Sequence, residues 1–289
     1  MEDRDLMAPA YVYMARCEGG QLYTGWTTDP AARLHAHKTG RGARATRAFH
    51  AVALAYLEPC PDKSAALRRE AALKKLPKAG KEALCAAWAE NARPRLSMAA
   101  RADAGEIVRL YNWYVRNRIA TFQITPSTLA EYEAWVDATL ARAPLLLARD
   151  GAGRLLGYAC AHRYHPREAF DWDVESTIYC APDACSAGVG NALYGALLEL
   201  LRMQGYWNVY ALLADPNPAS ERFHEKWGFA CVGRQPHAGY KLGRWAGMST
   251  WWLPLRKGPA APAPVRLQLD EAETAAVLAK YSAPAPNGR

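Results

Sequence analysis

The chain has 289 residues, of which 51% are hydrophobic and 22% charged; this composition is ordinary for globular proteins, and the length allows two domains. No stretch approaches the roughly 18 continuous apolar residues that a membrane helix needs, and the polar start shows no signal peptide, so no membrane partner is expected. The net charge is +8. Residues 1–95 hold 16 Lys and Arg against 10 Asp and Glu, and residues 96–256 hold 16 against 15. A polyanionic partner is therefore expected at the first third.

The cysteine pattern points to reduced thiols. Seven cysteines are present, and none forms a Cys-x-x-Cys pair or has a histidine at zinc spacing. An odd number without such pairs argues against a disulfide framework. We therefore expect a cytoplasmic protein.

The first third alternates strand and helix signals. In chain order it predicts a strand at 11–17, a turn at Gly19-Gly20, a strand at 21–26, a helix after Pro30, a basic loop at 38–47, a strand at 52–57, and helices at 64–76 and 78–88.

Four positions in this third form a recognisable pattern. Tyr13 lies in the first predicted strand, Tyr23-Thr24-Gly25 in the second, Arg33 on the following helix and Glu70 on the next long helix. In this order they resemble a GIY-YIG nuclease domain of the small, stand-alone bacterial type. One departure is Tyr11-Val12, which stands where the family's name-giving glycine and isoleucine would be. It alters a strand position and leaves the tyrosine in place.

The resemblance covers residues 8–90 and implies metal-dependent phosphodiester cleavage. It implies that Tyr13 and Tyr23 order or deprotonate the attacking water, that Arg33 faces the phosphate and that Glu70 holds one Mg²⁺. Taken singly, each residue also has a structural interpretation, as a core tyrosine or a solvated helix charge. Basic side chains nearby are expected to contact a nucleic-acid backbone without reading its sequence. A module that binds nucleic acid without cutting it, and so tethers the chain, is the alternative.

A polar connection at 91–95 separates this domain from a second module at residues 96–256. Its predicted elements are a helix from Asp103, a helix at 131–140, a hairpin of strands 145–148 and 155–163, a strand at 174–180, and a helix with apolar positions from Ala192 to Leu201.

The loop before the last of these helices reads Ser186-Ala187-Gly188-Val189-Gly190-Asn191. A strand, a glycine-bearing loop and a helix N-terminus leave unpaired backbone N–H groups near the positive end of the helix dipole. Such a place attracts an anion, most often a phosphate. Taken alone, the glycine pair also fits a simple tight turn.

This module resembles the GNAT family of acetyl-CoA-dependent N-acetyltransferases, and more narrowly its phosphinothricin and methionine-sulfone branch. Besides the glycine loop, the residues that carry the resemblance are Thr121-Phe122, Arg167, Trp172–Tyr179, Ser220 with His224, and Gly239–Trp245. The fold class is therefore expected to be α/β (α+β), with a small three-stranded sheet and helices followed by a mixed, mostly antiparallel sheet flanked by helices. The implied acceptor is a small amino-acid-like amine, with a protein or a polyamine as the alternative.

The resemblance also implies site residues. A protonated amine needs a base, which would be Glu175, with His224 as a second candidate; a solvent-facing strand glutamate and a structural histidine are the other interpretations. The residues implied to bind acetyl-CoA are Ile178, Gly188, Val189, Gly190, Asn191, Asn217 and Phe223. Those implied to bind the acceptor are Phe122, Arg167 and Lys241, with Arg167 as a carboxylate clamp.

One position departs from the family pattern. The family's loop normally begins with Gln or Arg three residues before its first glycine, and this chain has Cys185 there. The loss of one side-chain contact to phosphate would weaken coenzyme binding by about 1 kcal/mol. The backbone N–H groups would remain.

Residues 257–289 have the Pro- and Ala-rich composition of a tail. Within it we expect one capped helix from Asp270 to Tyr281 and disorder from Ser282 onward. The GNAT resemblance further implies a homodimer formed through the second module.

Overall fold

The structure is a computed structural model that describes residues 10–39, 51–184, 188–257 and 261–282. Most of the predicted basic loop, Cys185 and the segment after Ser282 lie outside these ranges. The chain divides into two compact units. The first extends to Arg95 and includes Arg149–Leu156 and Cys180–Gly190, and the second contains the remaining residues.

The first unit contains the predicted three-stranded sheet, which is antiparallel with the order β2-β1-β3. Its described elements are β1 (Ala10–Cys17), β2 (Leu22–Thr27), α1 (Pro30–Lys38), β3 (Ala51–Cys60), α2 (Lys63–Lys75) and α3 (Lys78–Asn91). Helix α1 begins where its sequence predicts, because the Asp29 side chain accepts a hydrogen bond from the backbone N–H of Ala32 and Pro30 lies in the first turn.

The central strand β1 is buried on both faces. Val12 and Met14 pack into a core that includes Leu73 of α2. Because strand side chains alternate between faces, Tyr13 points the other way and lies in a smaller cluster with Tyr23. The two tyrosines of the predicted pattern thus share one face of the sheet.

The remaining elements begin at the end of the first unit. In chain order they are β4 (Arg95–Met98), a 3₁₀ turn (Arg101–Asp103), α4 (Ala104–Asn117), α5 (Leu129–Leu140), β5 (Leu145–Arg149), β6 (Leu155–Arg163), a 3₁₀ turn (Glu168–Phe170), β7 (Asp173–Cys180), α6 (Val189–Gln204), β8 (Asn208–Asp215), α7 (Pro218–Lys226), β9 (Ala230–Lys241), β10 (Arg244–Pro254) and α8 (Glu271–Ser282).

Seven of these strands form one sheet in the order β4-β5-β6-β7-β8-β10-β9. Strands β7 and β8 run parallel, whereas β10 is antiparallel to both β8 and β9. A parallel pair needs a crossover connection, and α6 supplies it. Its Leu193, Leu197 and Leu200 are fully buried. This is the mixed sheet with flanking helices that the sequence predicts.

Local sequence explains where the helices of this module start and which face they bury. In α4, Ile107, Leu110 and Trp113 recur at three-residue spacing and are buried. In α5, the Thr128 and Glu131 side chains bond each other's backbone N–H groups in a capping box. Among the described residues, no helix combines the length and the apolar character needed to cross a bilayer.

The predicted C-terminal helix is confirmed as α8. Its Val277 is buried, and its last residue is Ser282. The predicted disorder therefore starts at least one residue too early, because the Ser282 hydroxyl closes the helix on the Leu278 carbonyl. The rest of that prediction lies outside the described residues.

Candidate active sites

The strands β7 and β8 separate partway along their length. Their paired residues run from Asp173 with Asn208 to Glu175 with Tyr210, yet β7 continues to Cys180 and β8 to Asp215. The other edge of β8 is paired with β10 throughout. No further β7–β8 pair is formed by the described residues, so an opening begins just beyond Glu175. The predicted coenzyme residue Ile178 lies in the part of β7 that is not paired with β8.

Glu175 sits on the last paired position before this opening. Its side chain is 22% exposed, and one carboxylate oxygen lies 3.6 Å from Nε2 of His162. Burial, with the charge of Glu175 as a smaller cause, raises the pKa of Cys160 to about 12. The neighbouring thiol is therefore protonated at neutral pH and does not compete with Glu175 as a base.

Gly188, the last residue before α6, has a left-handed backbone conformation. Gly188 has φ +83°, a value that L-residues rarely adopt, and a β-carbon there would meet no atom within 4 Å. Val189 is buried, Gly190 is half-buried and Asn191 is exposed. The Asn191 side-chain oxygen accepts a 3.5 Å hydrogen bond from Nζ of Lys226. The first turn of α6 thus has a cation beside its amides, which the sequence pattern did not indicate.

The two other predicted coenzyme residues lie on α7. Asn217 caps this helix, because its side-chain oxygen accepts a hydrogen bond from Ser220 N at 3.3 Å. Phe223 is half-buried, with its ring centroid 5.2 Å from that of Tyr194 of α6. Both residues thus have local packing roles in addition to the predicted coenzyme contacts.

His224 is buried in an aromatic cluster. It is 2% exposed, its ring lies edge-on to Tyr194 and Phe229, and Nδ1 lies 2.8 Å from the Ser220 carbonyl, to which it donates. Burial lowers the pKa of His224. No hydrogen bond, ion pair or ring contact joins His224 to Glu175 in the described parts of the chain. The structure thus gives this histidine a packing role and does not bring it to the candidate base.

The predicted acceptor residue Phe122 and its neighbour Thr121 both contact the end of β9. A β-carbon at Gly239 would overlap the ring of Phe122, so the glycine is needed for Phe122 to pack there. Lys241 is 4% exposed and donates from Nζ to the Thr121 carbonyl at 2.7 Å. Burial lowers the pKa of Lys241. Two of the three predicted acceptor residues are therefore adjacent.

Arg167, the third predicted acceptor residue, is exposed. Its backbone N–H donates to Nδ1 of His165 at 3.2 Å, and the His165 ring packs 4.5 Å from that of Phe170. Its guanidinium makes no ion pair with any described carboxylate. An exposed, unpaired guanidinium remains available to an anionic ligand.

In the first unit, the position of the Tyr13 ring explains why the motif has a glycine at position 25. Tyr13 lies directly opposite Gly25 on the β1–β2 pair. A β-carbon at Gly25 would come within 2.7 Å of the Tyr13 hydroxyl. Only glycine lets the ring cross the neighbouring strand.

The Tyr13 hydroxyl is the centre of a small polar cluster. It accepts a hydrogen bond from Nε of Arg33 at 3.0 Å and lies 2.6 Å from Nε2 of His37. The Tyr23 ring packs on both Tyr13 and His37. The structure thus brings Tyr13, Tyr23 and Arg33 together and adds His37. The signal for His37 was its position one turn after Arg33 on α1.

Two groups in this cluster, Tyr13 and His37, have shifted pKa values. Burial raises the pKa of Tyr13 to about 12, and the charges of Tyr23 and Glu70 raise it while Arg33 opposes. Burial, and then the Arg33 charge, lower the pKa of His37 to about 4. At neutral pH both groups are uncharged. Because Tyr13 accepts from Arg33, its own proton can be donated to the unprotonated Nε2 of His37.

Glu70 of α2 is near enough to act on Tyr13 and is 14% exposed. Lys74, one turn later, forms a 2.6 Å ion pair with it. Across the described ranges, no cluster of three or more His, Cys, Asp or Glu side chains suits a metal ion. A single carboxylate still fits Mg²⁺, which keeps several waters and commonly binds one or two carboxylates plus substrate phosphates.

Part of the predicted basic surface is internally neutralised. Arg69 pairs with Glu58 at 2.8 Å and Lys74 with Glu70. Fewer positive charges are therefore available to a phosphate backbone than the residue count suggests.

Two family models match this chain. The one described as an acetyltransferase (GNAT) domain matches residues 96–250, and the one described as a GIY-YIG catalytic domain matches residues 9–83. An L-methionine sulfoximine/L-methionine sulfone acetyltransferase of Pseudomonas paraeruginosa is 37% identical over 162 residues, which are 56% of this chain and 94% of that protein. A UPF0213 protein of Streptococcus sanguinis is 46% identical over 83 residues, which are 29% of this chain and 95% of that protein.

A solved structure agrees with the first of these matches. The crystal structure of a GNAT superfamily phosphinothricin acetyltransferase from Sinorhizobium meliloti, in complex with AcCoA, has a TM-score of 0.57 and 31% identity, and the match covers 59% of this chain and 94% of that one. The chain therefore belongs to the GNAT family of acetyltransferases. Its first part is a GIY-YIG domain, so both families predicted from the sequence are confirmed.

Proposed function

We propose that the acetyltransferase acts on the amine of a small amino-acid-like molecule of the phosphinothricin or methionine-sulfone type. The observation that carries this proposal is the position of Glu175 at the start of the β7–β8 opening. Relatives with 37% and 35% identity are named for L-methionine sulfoximine and sulfone, and for phosphinothricin. Their names support the same class of acceptor for this chain.

The residues present fit acetyl-CoA. Gly188 takes the left-handed conformation that a tight phosphate-binding turn requires, and the amides of the first turn of α6 would hold the diphosphate, with Gly190 and Asn191 among them. Lys226 adds positive charge beside Asn191, which offsets the missing Gln or Arg at Cys185. Acetyl-CoA, when bound, supplies the activated acetyl group.

In the proposed reaction Glu175 accepts a proton from the ammonium group of the acceptor. The freed amine bonds to the acetyl carbon, the bond from that carbon to sulfur breaks, and the proton on Glu175 returns to the thiolate or to solvent. The backbone N–H of Ile178 would stabilise the acetyl oxygen as it becomes negative. Asn217 and Phe223 would flank the coenzyme arm, and His224 would support them by packing.

The acceptor would be held by charge and shape together. Arg167 is exposed and unpaired among the described residues, so it can bind a carboxylate through two hydrogen bonds. Lys241 has no carboxylate partner in the described structure; it donates to the carbonyl of Thr121, whose neighbour Phe122 packs against Gly239. These residues favour an acceptor that carries a negative charge, and they disfavour a polyamine.

The decisive experiment measures thiol release from acetyl-CoA with phosphinothricin, methionine sulfone, methionine sulfoximine and spermidine as acceptors. We expect turnover with the first three and none with spermidine. Turnover with spermidine alone would replace this proposal by the polyamine alternative. Absence of thiol release with all four would reject the acceptor class.

We further propose that the GIY-YIG domain cleaves nucleic acid with Mg²⁺ held by Glu70. Burial raises the pKa of Tyr13 to about 12 and lowers that of His37 to about 4, so moving the proton from Tyr13 to His37 is unfavourable in the resting domain. Mg²⁺, when bound, supplies positive charge that stabilises the developing phosphate charge and lowers this cost. Arg33 would face the same phosphate, and Tyr23 would order the water.

Metal-dependent nicking of branched or single-stranded DNA by the full chain would support cleavage. Binding without nicking, at any Mg²⁺ concentration, would favour the alternative in which the domain only tethers the acetyltransferase to nucleic acid. Binding of either kind should weaken steeply with salt.

We also propose a cytoplasmic homodimer. Cys17, Cys60, Cys85, Cys160 and Cys231 form no disulfide, as a reducing compartment would keep them. Strand β9 is an edge of the seven-stranded sheet, and Val232, Tyr240 and Trp245 of the β9–β10 hairpin are 55%, 56% and 60% exposed. An apolar edge of this kind is suited to a second copy. Light scattering should give a dimer mass, and Val232→Lys should lower it.

A further inference from the structure

The chain beyond β10 returns to the acetyltransferase module and contacts α6. The Ala263 carbonyl accepts a hydrogen bond from Nε1 of Trp172 at 2.7 Å. The backbone N–H of Arg266 donates to the Gln204 carbonyl at 2.7 Å, and Nε2 of Gln204 donates to the Leu267 carbonyl at 2.9 Å. Ala263, Arg266 and Leu267 lie beyond residue 250, where the GNAT match ends.

Helix α8 meets α6 at a glycine. A β-carbon at Gly195 would overlap the ring of Tyr281. A rigid ring cannot move aside as the end of a long flexible side chain would. Glycine is unfavourable inside a helix, so its presence in the middle of α6 is explained by the ring that it admits. We call this contact the Gly195 notch.

Glu199, one turn after Gly195, holds the same end of α8. Its Oε2 accepts hydrogen bonds from Oη of Tyr281 at 2.9 Å and from Nζ of Lys280 at 2.6 Å. Burial alone would raise the pKa of Glu199, but these two partners outweigh it and the pKa is lowered. Glu199 is therefore an ionised anchor at neutral pH.

The last residue of α8 reaches the start of the module. The Ser282 hydroxyl oxygen accepts a 2.8 Å hydrogen bond from the backbone N–H of Leu96. Helix α8 is thus bonded both to α6 and to β4. Its position is specified by particular contacts and does not rest on apolar burial alone.

We infer that α8 is a positioning element for the coenzyme: by filling the Gly195 notch it holds α6 where the first turn of that helix presents its amides to the diphosphate. The inference rests on the proposed function, since it needs a diphosphate at that turn. Gly195 follows Val189 by six residues, about 9 Å along the helix axis. A tilt of α6 at the notch therefore moves its first turn. Tyr281 and Glu199 are positioning residues that act through α6.

The test is a mutant cycle of Gly195→Ala and Tyr281→Ala in the full chain, read as melting temperature and as the acetyl-CoA Kd from calorimetry. Gly195→Ala should lower the melting temperature and raise Kd about fivefold, as expected if about one fifth of the molecules remain competent to bind. In the Tyr281→Ala background the same alanine should raise the melting temperature, because the ring is gone and alanine is the better helix former.

Gly105→Ala is the matched control. It also lies in a helix, and its β-carbon would meet only Leu129 Cδ1, at 3.9 Å. It should leave Kd unchanged. Tyr281→Phe, which keeps the ring and loses the bond to Glu199, gives a milder loss of affinity and serves if Tyr281→Ala does not fold.

An unchanged Kd in Gly195→Ala, with a lowered melting temperature, would show that α8 only stabilises the fold and would overturn the inference. A raised melting temperature of Gly195→Ala alone would show that the notch is empty in solution, and would overturn it as well. If the unaltered chain binds no acetyl-CoA, the proposed function fails and the inference fails with it. That case is distinguishable, because the thermal cycle would still report whether α8 docks.

Discussion

The hydroxyl of Tyr13 lies 2.6 Å from Nε2 of His37, with both side chains almost fully buried. Burial pushes their pKa values in opposite directions, that of Tyr13 up to about 12 and that of His37 down to about 4. The resting pair is therefore neutral and strongly holds its proton on the tyrosine. This relationship gives the fold a measurable dependence on pH.

The stability of the chain should fall as the pH drops from about 6.5 to about 4. In this window the folded state keeps His37 neutral, whereas the unfolded chain protonates it near its ordinary pKa of 6.5. The unfolded state then binds more protons, so the free energy of unfolding decreases with falling pH by up to about 1.4 kcal/mol per pH unit. Urea melts of the unaltered chain and of His37→Gln, which cannot titrate, should differ by this slope. His35→Gln, an exposed neighbour on α1, is the control. If the free energy of unfolding changed with pH by the same slope in His37→Gln and His35→Gln, the lowered pKa would not belong to His37.

Replacing Glu70 by Gln should abolish Mg²⁺-dependent nicking, by at least about 100-fold, because the metal's contribution amounts to several kcal/mol. The control is Glu82→Gln on α3, which removes a carboxylate that pairs with Arg16 of β1. It should leave nicking intact. Lys74→Met should lower the Mg²⁺ concentration needed, because Lys74 competes for the Glu70 carboxylate at 2.6 Å. The measurement is conversion of supercoiled plasmid to nicked circles over a Mg²⁺ series. Full activity of Glu70→Gln would remove Glu70 from the site.

Replacing Glu175 by Gln should lower kcat by roughly 10²- to 10⁴-fold, the usual contribution of a general base, with little change in the acetyl-CoA Kd. Asp173→Asn is the matched control, since Asp173 lies two residues earlier on β7 and its carboxylate is bonded to Asn208 at 2.7 Å. Steady-state kinetics with calorimetry separates the two effects. Loss of acetyl-CoA binding without a kcat effect would assign Glu175 to coenzyme binding and not to proton transfer.

Gly188→Ala should weaken acetyl-CoA binding by about tenfold, equivalent to about 1.4 kcal/mol. Gly153→Ala provides an internal comparison, because both glycines have similar positive φ angles, +83° and +85°, and open space at the β-carbon. Both substitutions should lower stability by about 1 kcal/mol through backbone strain. Only the first should change Kd. An equal effect of both on Kd would mean that global strain, and not the turn before α6, controls binding.

The sequence was sufficient for most of the elements and for the two families, whereas the strands β8 and β10 were not predicted. Alternation and caps predicted β1, α1 and α6 because these signals are local: Asp29 and Pro30 start α1 whatever surrounds them. Ordered motifs then indicated Tyr13, Tyr23 and Arg33, which the structure brings together. Gly25 and Gly239 were part of those motifs, but their reason, space for Tyr13 and Phe122, became visible only in three dimensions.

The sequence also gave no sign of several long-range contacts. The position of His37 one turn after Arg33 did not show that its ring lies 2.6 Å from the Tyr13 hydroxyl, and the predicted tail gave no hint that Tyr281 packs against α6 at Gly195. His224 fitted a catalytic motif, yet its ring is enclosed by Tyr194 and Phe229. These contacts join residues far apart in the chain, so no local periodicity records them.

What the sequence determined by itself is the identity of the chain: a basic GIY-YIG domain followed by a GNAT acetyltransferase, each recognisable from short-range patterns of side-chain chemistry. What only the tertiary structure decided is the state of the groups within those patterns. Whether His37 is charged and whether α6 is held in place by Tyr281 depend on burial and on partners distant in the chain. Both are set when the chain packs, because desolvation and close contact act through space and not along the sequence.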